Sequence, residues 1–149
     1  MFFTLIYRSP SQSNEEQDSF IEKFKYTITL MNKENPCLIV LSGDFNSRSP
    51  LLWSGENFEN HAGKLMAEFC IRNCFEQLID EPTHIPNDDT QTCIDLLLTN
   101  NTSTIVDSGV IPSPDPSCKH QIIEGKINLH VPPPPRYKRK IWVYKKGNN

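Results

Sequence analysis

The sequence predicts an α/β layered domain, and three observations carry that prediction. Strand-like and helix-like patterns alternate along the chain. The run "CLIVLSGDF" (37–45) is apolar almost without a break, as suits a strand covered on both faces. Two segments repeat their apolar residues at helical spacing. At 149 residues the chain is one domain by length.

The elements follow in order. "MFFTLIY" is too short for a membrane helix and lacks the basic and small-residue flanks of a signal peptide, so residues 2–7 read as a strand. "RSPSQSNEE" is a loop in which Ser13 and Glu16 have the spacing of a capping box. Phe20, Phe24, Thr27, Ile28 and Met31 then predict a helix over about 15–32. Pro36 ends the turn before the second strand. After a loop over 46–59, Ala62, Leu65, Met66, Phe69 and Cys70 mark a second amphipathic helix. "FEQLID" reads as a short strand, "EPTHIPNDDT" as a loop and "CIDLLLTN" as a strong strand. "TIVDSGVI" and "HQIIEGKINL" are weaker strands, and "VPPPPRY" is a stiff extended exit, since proline has no N–H to give a sheet.

Composition narrows the class. Hydrophobic residues make up 37% and the mean hydropathy is −0.48, and no apolar run approaches the ~20 residues of a membrane span. The five cysteines are odd in number, irregularly spaced and without a CxxC pair, which argues against a disulfide framework or a structural zinc site. They read as core thiols in a reducing compartment, cytosol or nucleus, with Cys70 and Cys74 able to share a helix face. The net charge of −3 conceals a split. Residues 1–118 carry seven basic and seventeen acidic side chains, and residues 119–149 carry eight and one. Such a basic tail suits a nucleic-acid backbone or a solvated linker.

Polar residues gather where strands end. Asp44 and Asn46 follow the second strand in "GDFN", and in an extended segment they would share a side, with Phe45 pointing into the core. That lip is where α/β sheets bind ligands, and the pair could hold a metal, a water or a phosphate. Gly, Asp and Asn are equally turn residues, so these four positions alone leave both readings open. Tyr7 and Arg8 follow the first strand. Asp95 sits inside an apolar strand, which is costly unless it is paired, and a histidine is a natural partner; His120 precedes the last strand. An edge-strand Asp facing water and a surface His are the plainer alternatives. His61, His84 and His130 receive no role.

Together "YRSPSQ", "LSGDFNSRSPLLW", the Asn60-xx-GKLM segment, "LIDEPTHI", "CIDLLLTN" and "CKHQIIEGKINLHVPPPPRYKRKIWVY" resemble one family. It is the endonuclease/exonuclease/phosphatase superfamily, in the form carried at the N-terminus of non-LTR retrotransposon reverse transcriptases. The resemblance implies a share, the C-terminal half, of a four-layer α/β sandwich over residues 1–131, with residues 132–149 as a Pro-rich basic linker. It implies a metal-dependent DNA endonuclease centre. Tyr7 would contact the scissile phosphate, Asp44 would position or deprotonate the water, and Asn46 would orient both. Asp95 would pair with His120, and His120 would bind a phosphoryl oxygen. In "CKH", Lys119 replaces a family acid next to the metal; it could bind phosphate but cannot ligate a hard cation.

The family's main Mg²⁺ ligand, a glutamate, and an early asparagine precede the tyrosine motif, and only six residues precede Tyr7 here. The expectation is therefore a truncated domain that binds Mg²⁺ weakly and does not cleave DNA alone. One inner sheet face would be left bare and in need of a partner, either the N-terminal half or the reverse transcriptase region. The alternative is a non-enzymatic retrotransposon remnant that at most binds nucleic acid through its tail.

Overall fold

The computed structural model describes residues 1–87 and 90–129. The expected linker over 132–149 and His130 lie outside these residues. The elements are β1 (Phe2–Tyr7), α1 (Asn14–Lys33), β2 (Ile39–Asp44), α2 (His61–Asn73), β3 (Glu76–Gln77), β4 (Asp95–Thr99), a 3₁₀ turn (Thr102–Thr104), β5 (Ile105–Ile111) and β6 (Ile122–Ile127). Four strands form one mixed sheet in the order β1-β2-β4-β3, and β5 and β6 form a separate antiparallel hairpin. β1 and β2 are parallel with α1 between them, and β4 runs antiparallel to β2.

Each element has a local cause. Ser13 caps α1 through the full capping box: its hydroxyl accepts from the Glu16 N–H, and its own N–H donates to the Glu16 carboxylate. α1 buries Ile21, Phe24 and Ile28. α2 starts at Asn60, whose side chain accepts from the Gly63 N–H, and ends at Cys74 in the left-handed conformation. "FEQLID" yields only the two residues of β3. The Gln77 side chain donates to the Ile79 carbonyl at 2.7 Å and accepts from the Ile79 N–H at 2.8 Å, which turns the chain out of the sheet.

The central strand is covered on both sides, and Ile39, Val40 and Leu41 are buried. On one face Ile6 and Leu41 join Phe20, Phe24 and Ile28 of α1 in one apolar cluster. Phe24 packs in turn on Phe45 and on Phe69 of α2. On the other face Val40 and Leu97 meet Ile105, Ile123 and Ile127 of the hairpin. The expectation of a wholly bare inner face is therefore corrected: the hairpin covers β2 and β4. What stays open is the β1 side of that face, where Phe3, Leu5 and Tyr7 are 56%, 73% and 72% exposed. The hairpin packs against β4, and Phe3 shares a cavity with Ile105, Ile123 and Ile127 of the hairpin.

The core-thiol reading holds for Cys70 and Cys93 and fails for Cys37, Cys74 and Cys118, which are exposed. Cys74 leaves the helix face because the helix has already ended there. None of the five is in a disulfide. Among the described residues no helix is long and apolar enough to cross a membrane.

Two predictions follow from this packing. Burial pushes the Cys70 and Cys93 thiols up to about 12. At pH 8 a thiol reagent should therefore label the three exposed cysteines rapidly and the other two only after denaturant is added; fast labelling of all five would show that this core is not formed. The apolar, uncharged edge β1 should make the chain self-associate. Leu5→Lys is expected to lower sedimentation-detected association without lowering the melting temperature.

Candidate active site

Sheet register assembles the first part of the site. Tyr7 lies beside Asp44 across the β1–β2 pair, and Asp44 lies beside Asp95 across the β2–β4 pair. Partnered residues project from the same face, so the three side chains form a row across three strands. The approach is close at Gly43, which has φ 135° and would place a Cβ 2.0 Å from the Ile6 carbonyl oxygen. A side chain here would drive β1 and β2 apart, which explains the glycine before Asp44.

Beyond Asp44 the chain turns. The Asp44 carboxylate accepts from the Asn46 N–H at 3.0 Å, and Asn46 has φ 49°. Of the two readings left open for Gly43–Asn46, the turn is the one the structure shows, and the turn and the polar site are one object. Phe45 is buried in the core as expected. Arg8 clamps the turn from β1. Its Nε donates to the Phe45 carbonyl and its Nη2 to the Asn46 carbonyl, both at 2.6 Å, while the Asn46 side chain donates to the Arg8 carbonyl at 2.8 Å. Arg8 is 3% exposed, and the cost of burying its charge lowers its pKa, offset in part by Asp44. Asn60 braces the other side, donating to the Asn46 carbonyl at 3.0 Å and accepting from the Arg48 N–H at 3.1 Å. Arg48 in turn holds the buried Glu56 through two bonds of 2.8 and 3.0 Å.

The second part of the site arrives from the chain beyond α2. His120 Nδ1 lies 2.9 Å from Asp95 Oδ2. Asp95 is held by Thr83, whose buried hydroxyl accepts from the Ile94 N–H at 3.1 Å and the Asp95 N–H at 2.9 Å. The same segment positions His120: the Ile85 N–H donates to the Lys119 carbonyl at 2.8 Å, and the Gln121 N–H donates to the Thr83 carbonyl at 2.7 Å. Lys119 is exposed, and its charge is among those that lower the His84 pKa, after burial and His120.

Donor atoms of Asp44, Asp95 and His120 lie within 4.8 Å of one another. Burial raises the Asp44 pKa, and the facing Asp95 raises it further, while the Asn46 N–H and His120 oppose the shift. Two carboxylates that repel each other and a nearby imidazole fit a divalent cation, which would relieve that repulsion. The sequence reading allowed Asp44 and Asn46 a metal without assigning a ligand, and Asp95 and His120 join Asp44 in this donor set from the structure. A cavity of about 410 Å³ opens beside the cluster, with Arg8, Asn46, Asn60, His61, His84 and Thr92 among its walls.

Of the residues singled out in the sequence, Asp44, Asn46, Asp95 and His120 come together, Tyr7 completes the row at its exposed end, and Lys119 adjoins His120. Sequence reasoning missed Thr83, His84 and Asn60, and it gave Arg8 a place but no task. "PTH" and the start of "NHAGKLM" carried the signal, a threonine and an asparagine just where a strand and a helix need a side-chain acceptor.

Residues 1–125 match the family model described as endonuclease-reverse transcriptase. The chain belongs to that family. Among solved structures it is similar to the endonuclease domain of TRAS1, a telomere-specific non-LTR retrotransposon, with a TM-score of 0.64 and 20% identity. The match covers 84% of this chain and 57% of that one. The chain thus shares the fold of that domain over 57% of the domain's length. No curated protein sequence matches the chain.

The repulsion at Asp44 gives a sign that can be checked. A pKa raised on folding means that the charged carboxylate opposes the folded state above its pKa. Asp44→Asn keeps an acceptor for the Asn46 N–H and removes the charge. Its melting temperature should exceed the parent's at pH 7, and the gain should vanish below about pH 3.9, where an ordinary Asp is neutral. Equal melting temperatures at pH 7 would show that Asp44 is not strained.

Proposed function

We propose that this chain carries a hydrolytic centre for DNA phosphodiesters of the kind that nicks target DNA for a retrotransposon. The observation that carries the reading is the Asp95–His120 pair at 2.9 Å, set beside Asp44 at the strand ends of a chain from the endonuclease-reverse transcriptase family. In this reading Asp44 holds the attacking water and accepts its proton. His120 has Nδ1 fixed by Asp95, and in its doubly protonated form Nε2–H would donate to a phosphoryl oxygen. Asn46 fixes the Asp44 carboxylate through its backbone N–H. The Tyr7 hydroxyl and the Lys119 ammonium, both exposed, contact the phosphate from the rim. Mg²⁺ held by Asp44 and Asp95 would neutralise charge on the phosphate. DNA is the partner in this reading, with a reverse transcriptase region as the companion the family description supports.

The donor set is thin. Two carboxylates and one imidazole make up the only metal-binding group found among the described residues. Loss of one preorganised electrostatic group commonly costs about 10²–10³ in rate. Supercoiled plasmid in Mg²⁺ should therefore be converted to open circle slowly or below detection by this chain, and any conversion should be abolished by Asp44→Ala and by His120→Ala. Nicking that survives both substitutions would place the chemistry elsewhere and overturn the assignment. A complementary measurement is Mn²⁺ line broadening, which should centre on Asp44, Asp95 and His120 and disappear in Asp44→Ala.

A further inference from the structure

The segment over 83–85 does more than brace its neighbours. His84 is paired through the backbone with Thr92 on one side and with His120 on the other, both antiparallel. Directly opposed residues in such pairs project from the same face. Thr92, His84 and His120 therefore form a second row, which meets the Tyr7–Asp44–Asp95 row where His120 reaches Asp95. The His84 and His120 rings stand with centroids 4.8 Å apart and planes tilted by 56°. His84 also lines the cavity beside the cluster, together with Arg8 and Asn46. His120 commits one ring nitrogen to Asp95, whereas neither ring nitrogen of His84 takes a hydrogen bond from a described residue.

We propose that His84 is a second substrate-contacting imidazole, donating a ring N–H to a phosphate oxygen of the DNA strand bound at His120. The inference rests on the hydrolase reading of the neighbouring cluster. A ring that lines this cavity and has no hydrogen-bonded nitrogen among the described residues is suited to a phosphodiester, because a ring N–H can reach an oxygen while the ring stays against His120. Packing alone would need no nitrogen in that ring, and the difference can be tested.

The probe is a short DNA duplex, titrated without divalent metal into the full chain while the imidazole proton and nitrogen resonances are followed by NMR. The expected result is that both His84 and His120 shift on binding. His84→Phe, which keeps a ring against His120, should weaken binding about tenfold. His84→Gln, which restores an N–H donor, should recover part of that loss. Unchanged affinity in His84→Phe, with His120 still shifting, overturns the role of His84 and leaves the hydrolase reading standing. Failure of the duplex to shift His120 in the parent chain overturns both. If His84→Phe disturbs the His120 nitrogen bonded to Asp95 before any DNA is added, His84→Gln decides. Recovery with Gln supports the contact, and weak binding with an intact His120–Asp95 pair refutes it.

Discussion

The register of β2 between its two neighbours is the constraint on which the site depends. Tyr7, Asp44 and Asp95 share a row only because Tyr7 pairs with Asp44 and Asp44 with Asp95. A slip of one residue would turn Asp44 toward the helices and bring Gly43 to the site face. The apolar run from Leu38 to Leu41 prevents this, since all four residues are buried. Each side of the strand fills a different layer, the helices on one face and the hairpin on the other. Core packing thus fixes the placement of two carboxylates that repel each other, and hydrophobic burial compensates for the local conflict.

Much of this fold was legible in the sequence because its signals are local. The capping box at Ser13 and Glu16, the apolar spacing of α1 and α2, and the unbroken run of β2 each announce an element through neighbouring residues. The elements that were misjudged are those whose limits depend on distant partners. β3 shrinks to two residues because the Gln77 side chain serves Ile79 and also accepts from the Leu97 N–H, a contact outside any sequence window. The hairpin's position over β2 and β4 is equally a matter of tertiary packing.

The same division runs through the site. Asp95 stood out as an acid in an apolar strand that called for a histidine, and the family resemblance singled out His120 among the four histidines. The turn at Asn46 was legible from its residue types, Gly, Asp and Asn, whereas its left-handed backbone and the partners that hold it were not. Arg8 was opaque for another reason. An arginine in sequence reads as exposed charge, whereas this one spends its guanidinium on the carbonyls of Phe45 and Asn46 and lies in the interior. Backbone carbonyls leave no trace in a sequence, so the residues that serve them are the hardest to assign.

Asn60 joins two structures that would otherwise be independent. It caps the first turn of α2 and holds the carbonyl of Asn46 with the same side chain. Fraying of that helix end therefore also releases the turn behind Asp44. Opening of the α2 N-terminus and loosening of the β2 lip become a single cooperative excursion, and the amides of Gly63 and Arg48, both bonded to Asn60, belong to one exchange unit. The rigidity of the lip is thereby tied to the stability of the first turn of α2.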